Sequence, residues 1–143
     1  MCQQREQPLP CDAAAVSGAR RFCVKSLNET VGSASGALDC IDAAILVISE
    51  LATNAINAGC AHAVAMIDVH RHRVRIGVTD DGAGLPQVRH PMLSEGHGRG
   101  LQIVDRLSLA WGVSPAPVGK LVWADLAVPA ELTADLCCSL PGA

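Results

Sequence analysis

The stretch from Ile41 to Asn57 constrains the fold most. At helical spacing it spreads Ile41, Ile45, Val47, Ile48, Leu51, Ala52, Ala55 and Ile56 around most of a helix. The remaining polarity is Asp42 near its start and then Ser49, Glu50, Thr53, Asn54 and Asn57, with no Lys or Arg among them. A helix this apolar must be covered on most sides. Its polar line is an unusual way to meet water, because Asn is a poor helix former. Glu50, Asn54 and Asn57 share one stripe of such a helix. That stripe is either a solvated face or a working one. A carboxylate and a carboxamide one turn apart suit magnesium binding and proton transfer. The Asn carbonyl is a hard oxygen ligand, and the Glu can take a proton from an attacking hydroxyl.

The rest of the chain bounds what can be built around that helix. Its 143 residues suit one domain. Leu, Ile, Val and Phe make about a quarter of it, enough for a packed core and too many for a disordered chain. A net charge of −3 leaves no basic footprint for nucleic acid. Phe22, Trp111 and Trp123 are the only aromatics, which leaves little surface for stacking bases. The longest purely apolar run, Ala43 to Ile48, is too short to span a membrane. Met1 to Gln7 has no apolar run, so neither a signal peptide nor a lipid anchor is expected, and a cytoplasmic location is. The seven cysteines are scattered without a Cys-x-x-Cys pair and read as cytosolic thiols. Cys60-Ala61-His62 has no second pair at zinc-site spacing.

Along the chain, residues 1–11 read as a loose arm or one short strand, 12–129 as the domain, and 130–143 as a tail. Asp12 is placed to cap a helix from Ala13 to Asn28. Val31 to Gly36 is a Gly/Ser loop. Asp39 is placed to cap the next helix, with Asp42 in a capping-box position. That helix runs to about Ala58, where Gly59 suits a left-handed stop. Strands follow at Ala63–Val69 and Arg73–Asp80, joined at His70-Arg71-His72, where His70 and His72 are expected to be exposed. Asp81 to Gly98 is a loop, Arg99 to Leu109 a helix, and Ala110–Ser114 and Lys120–Val128 are closing strands. Helices and strands do not alternate strictly. The expectation is therefore an α+β two-layer sandwich, with helices on one face of a mixed sheet.

Two further constellations carry chemistry. In Val78-Thr79-Asp80-Asp81-Gly82-Ala83-Gly84, Asp80 continues the inward phase of Val74, Ile76 and Val78. The run is either ordinary turn chemistry or a purine site. In the second case Asp80 accepts from an exocyclic amine, and Gly82 and Gly84 let backbone approach the ring. An inward carboxylate needs a donor, and a ligand amine would serve. In Gly96-His97-Gly98-Arg99-Gly100-Leu101, glycines feed a helix N-terminus, where free N–H groups suit phosphate. Arg99 adds a fork of donors. Each signal alone is weak; in this order they reinforce one another.

The order Glu50…Asn54, Asp80-x-Gly82-x-Gly84, Gly98-x-Gly100-Leu101 resembles the three boxes of the GHKL ATP-binding superfamily. That superfamily includes histidine-kinase ATP domains, gyrase and MutL. Ile48-Ser49-Glu50-Leu51-Ala52-Thr53-Asn54-Ala55, Gly98-Arg99-Gly100-Leu101-Gln102-Ile103-Val104 and the closing strands are most similar to the stand-alone anti-sigma regulatory factors, which are serine-protein kinases. The resemblance covers about residues 12–129. It implies a Bergerat-type sandwich that binds ATP with Mg²⁺. Asp80 would contact adenine, Asn54 would hold the metal, and Glu50 would be the base that activates a partner's serine hydroxyl or a water. Asn57 would join the nucleotide site, Gly82 and Gly84 would line the base pocket, and His97, Gly98, Arg99, Gly100 and Leu101 would lie along the phosphate lid. Leu121 stands where the family commonly has a hydroxyl residue on the closing strand. The implied partners are a protein antagonist and a sigma factor, with a homodimer as an expected state and neither nucleic acid nor membrane. The implied function is a serine/threonine-protein kinase in a partner-switching system that controls transcription. The alternative is a non-catalytic module that uses ATP only to hold a partner.

Overall fold

In the computed structural model, residues 3–31, 37–83 and 99–129 are described. The elements in chain order are β1 (Gln3–Leu9), α1 (Ala14–Thr30), α2 (Ala37–Asn57), β2 (Ala63–His70), β3 (Arg73–Asp80), α3 (Arg99–Leu107), β4 (Ala110–Pro115) and β5 (Lys120–Ala127). The strands form one sheet in the order β1-β2-β3-β5-β4. Every pairing among them is antiparallel, so the mixed sheet expected from sequence is corrected while the α+β sandwich stands. Each antiparallel neighbour is reached by a hairpin or by a return through a helix, and no parallel crossover is needed.

Alternation in the strands decides which face the helices cover. Ala65, Ile67 and Val69 of β2, Val74, Ile76 and Val78 of β3, and Val122, Ala124 and Leu126 of β5 are all buried on one face. Against them pack Ala19, Phe22, Cys23 and Leu27 of α1 and Ala44, Val47, Ile48, Leu51 and Ala55 of α2. Burying each large aliphatic side chain contributes ~1.5–3 kcal/mol. The many alanines let the helix axes come close to the sheet. Cys23 is part of this core, and burial pushes its thiol up to about 12, so it behaves as a small apolar group.

Several element ends differ from the sequence expectation for local reasons. The N-terminal segment is a full edge strand whose seven residues pair with β2 from Gln3↔Val69 to Leu9↔Ala63. Pro8 is tolerated there because an edge strand leaves one side of its backbone unpaired. Asp12 accepts the Ala14 N–H at 2.8 Å, although α1 starts two residues beyond it. The second helix starts at Ala37, so Asp39 lies in its first turn rather than at its cap. Its acidic charge there still complements the helix dipole. Gly59 closes α2 with φ +77°, as its place in the sequence predicts. The third helix ends at Leu107, short of Leu109. At the β2–β3 turn His72 takes φ 70° and is exposed, but His70 is buried and pairs with Asp68 at 2.9 Å.

Two cysteines are not thiols. Cys11, before α1, and Cys60, after α2, form a disulfide with Cα atoms 5.8 Å apart. They are 49 residues apart in sequence. Cys23 and Cys40 are free and buried.

Candidate functional site

The face of α2 that carries Glu50 and Asn54, continued by Ala58 just past the helix end, meets two other segments. At its N-terminal end, the start of α3 lies directly on Glu50. A Cβ built on Gly100 would fall on Glu50 Oε2 and come within 3.0 Å of its Cδ. At its C-terminal end, Gly82 presses on the carbonyl of Ala58, and a Cβ there would come within 2.8 Å of the Ala58 Cβ. Only residues without a side chain permit both approaches. The three sequence boxes therefore meet along one helix. Eight residues at 1.5 Å each put the two contacts roughly 12 Å apart. Asn54 lies between them, and its Nδ2 is buried without a hydrogen-bond partner.

The neighbouring polar residues of α2 are satisfied locally. Ser49 Oγ donates to the Ile45 carbonyl and Thr53 Oγ1 to the Ser49 carbonyl at 2.9 Å. Arg20 of α1 donates to Ser49 Oγ at 2.8 Å, which puts a cation beside Glu50's neighbour. Asn54 has no such local solution for its Nδ2. A buried amide with unused hydrogen-bonding capacity is rare in a native fold and points to a ligand. An N–H donor needs an acceptor such as a phosphate oxygen, and the amide oxygen of Asn54 is then left to hold the metal beside the Glu50 carboxylate; in that way the residues would fit a magnesium nucleotide.

Asp80 ends β3 with only 2% exposure, inward as its phase predicts. Its donor is not left to a ligand. Lys120 Nζ, at the start of β5, donates to Asp80 Oδ1 at 2.8 Å and to the Gly82 carbonyl at 3.3 Å. The Gly82 N–H donates to the same Oδ1 at 2.9 Å. A buried carboxylate needs such partners to offset its desolvation. The register explains the pairing: Asp80 stands opposite Lys120, and Thr79 opposite Leu121. Leu121 turns to the other face, where its Cδ1 lies over Gly77. The closing-strand residue facing Asp80 is therefore Lys120.

A clasp holds this corner. Asp81 Oδ1 accepts the N–H groups of Ala61 at 2.8 Å and His62 at 2.9 Å, and Oδ2 lies 3.0 Å from His62 Nδ1. These bonds, led by the backbone N–H of His62, hold the Asp81 carboxyl down at about 2. The Asp81 N–H returns a bond to the His62 carbonyl at 3.3 Å. The turn after α2 is thus tied to the turn after β3. The Cys11–Cys60 disulfide adjoins it in sequence, next to Ala61. Among the described residues, no group of three or more His, Cys, Asp or Glu could hold a metal ion.

Of the other predicted residues, Asn57 is exposed at the last position of α2. Leu101, in the first turn of α3, is buried at 1% exposure. Arg99 and Gly100 form the first turn of α3, as predicted, and of Arg99 only the backbone is described. Gly84, His97 and Gly98 lie outside the described residues. Sequence reading missed Lys120 and Asp81 as site residues. Part of the signal for Lys120 was available: a lone Lys opens a strand at a position in phase with its inward apolar residues.

The family model described as "Histidine kinase-, DNA gyrase B-, and HSP90-like ATPase" matches residues 41–129, more than half of the chain. The chain belongs to this family. The matched part runs from α2 to β5, so it takes in both contacts of the helix and the Asp80–Lys120 pair. As a member, the domain is of an ATP-binding ATPase or kinase type. No curated protein matches it. Among solved structures it is similar to the histidine kinase domain from the Erythrobacter litoralis EL346 blue-light activated histidine kinase, at 21% identity and a TM-score of 0.47. That likeness covers 85% of this chain and 65% of the other. No described helix is long and apolar enough to cross a membrane.

Proposed function

We propose that this chain is an ATP- and Mg²⁺-dependent protein kinase of the anti-sigma regulatory type, which phosphorylates a serine or threonine on an antagonist protein. The observation that carries this reading is the contact between Glu50 and Gly100. It sets a carboxylate at the first turn of α3, where free backbone N–H groups suit phosphate. Asn54, one turn along, would hold the metal. Glu50 takes the proton of the attacking hydroxyl as its oxygen bonds to the γ-phosphorus. The bond from that phosphorus to the bridging oxygen breaks, and ADP leaves. Transfer to the antagonist would release it and free the kinase to hold a sigma factor in a partner-switching system in the cytoplasm. The box around Glu50 and the closing strands support this by their resemblance to that group of kinases.

The same contact favours a second reading. A carboxylate packed against backbone is not free to move, as suits a module that uses ATP only to hold a partner. One experiment separates the two. Proteins retained by the chain with ATP–Mg²⁺ are assayed for transfer of radiolabelled γ-phosphate, and Glu50→Ala is tested beside the native chain. The kinase reading expects transfer that Glu50→Ala abolishes while ATP binding stays nearly intact. Tight ATP binding without transfer to any retained protein establishes the module instead.

A further inference from the structure

We propose that Lys120 is a specificity-determining residue that reads the purine ring directly, donating to ring nitrogen N1 while Asp80 accepts from the exocyclic amine. This rests on the nucleotide-binding reading above and goes beyond it.

The argument is one of unused hydrogen-bonding capacity. An ammonium has three donors. Lys120 uses one on Asp80 Oδ1 and one on the Gly82 carbonyl. Both bonds that Asp80 accepts, from Lys120 and from Gly82 N–H, fall on Oδ1. Among the described residues nothing takes the third Lys120 donor or binds Oδ2. The two side chains are 9% and 2% exposed, so water has little access to either. A donor and an acceptor are thus held side by side and nearly dry, with one bond each to give. The Watson–Crick edge of adenine presents the complement, an amine donor next to the N1 acceptor. A pair held at 2.8 Å by its own ion pair is already ordered, so binding a base costs little further ordering.

A counter-ion role alone would also explain why Lys120 is buried next to Asp80. The two roles part on the ring nitrogen, because a mere counter-ion is indifferent to it. The test titrates the native chain with ATP and with 1-deaza-ATP, in which a carbon replaces N1. The inference expects 1-deaza-ATP to bind about tenfold weaker or worse, the range for losing a hydrogen bond from a charged donor. Lys120→Met should bind the two nucleotides equally. Equal binding of both by the native chain overturns the inference and leaves the ATP reading standing. The same holds if Lys120→Met folds and keeps the native preference. If the native chain binds neither nucleotide, the ATP reading fails and the inference falls with it. Equal binding by the native chain overturns the inference without any variant, so a misfolded Lys120→Met does not leave it untestable.

Discussion

Two aspartates are buried in the same sheet, on opposite faces, and they are held differently. Asp125, 1% exposed on the face away from the helices, is saturated. Arg75 grips it with two bonds, Nε to Oδ1 at 2.7 Å and Nη2 to Oδ2 at 2.9 Å. Arg73 adds a contact to Oδ2 at 3.5 Å. The Arg75 guanidinium in turn lies 4.2 Å from the centroid of the Trp123 ring. Asp80, on the helix face, is held by one ammonium and one backbone N–H, both on a single oxygen. Burial alone does not mark a functional carboxylate. What marks it is the bonding capacity that the fold leaves over. Asp125 has its needs met by a planar fork that matches its geometry. Asp80 is met by a point charge that leaves one carboxylate oxygen open.

The largest expected effect comes from removing each carboxylate in turn. Asp80→Ala leaves Lys120, 9% exposed, without its counter-charge. We expect a loss of about 3–5 kcal/mol in urea unfolding. The milder Asp80→Asn should fold and bind ATP about tenfold to a hundredfold more weakly. Asp125→Ala should cost less, about 2 kcal/mol, because Arg73 and Arg75 are 34% and 29% exposed and can turn to water. It should leave ATP affinity within about twofold, since the two sites share no partner. If Asp80→Asn leaves ATP affinity as untouched as Asp125→Ala does, the distinction between the two carboxylates collapses.

A smaller effect is expected at the other end of the α2 face. Gly100→Ala drives a methyl onto the Glu50 carboxylate. Either the first turn of α3 or the Glu50 side chain must shift, at about 1–3 kcal/mol. Phosphate transfer should fall by about tenfold or more, because the base and the phosphate-facing turn move apart. ATP binding should fall less, since Asp80 and Lys120 are untouched. Thermal unfolding, ATP titration and the transfer assay together check this. Equal losses in binding and transfer would mean that the Glu50–Gly100 contact shapes the pocket as a whole rather than the reacting end.

The site was legible in sequence wherever local periodicity carries the information. Glu50 and Asn54 share a face because a helix repeats every 3.6 residues, and Asp80 points inward because a strand alternates. Gly82 and Gly100 could be singled out because a missing Cβ permits close backbone approach. What they approach could not be read, because the Ala58 carbonyl and the Glu50 carboxylate belong to another element. Lys120 illustrates the limit. Its phase was readable, but the residue facing Asp80 depends on how β5 registers against β3, and a slip of one residue exchanges Lys120 for Leu121. The same reason hid the Cys11–Cys60 bond, which closes 49 residues of chain, and the edge strand β1 was legible only as one of two alternatives because its polar sequence shows no apolar alternation. His70 was read as a turn residue and is instead the buried last residue of β2, where Asp68 pairs with it.

A third aspartate completes the comparison and carries the smallest expected effect. Asp81 lies beside Asp80 but at the surface, and its oxygens are spent on Ala61 and His62 rather than offered to a ligand. Those bonds favour the charged form and lower its carboxyl from 3.8 to about 2. A carboxylate with a depressed folded-state value stabilises the fold above its unfolded value, and that contribution is lost as pH falls through the folded one. The clasp should therefore act fully above about pH 4 and fade between about pH 4 and pH 2. We expect the thermal midpoint of the native chain to exceed that of Asp81→Asn by a constant margin near neutrality, with the gap closing over that acidic window. ATP affinity should change little in Asp81→Asn, because the variant keeps an oxygen for the Ala61 and His62 N–H groups. A gap that persists unchanged at pH 2 would show that the clasp works through shape and not through its charge. Asp81 would then differ from Asp80 and Asp125 in kind, because in both of those the charge is what the partner side chain meets.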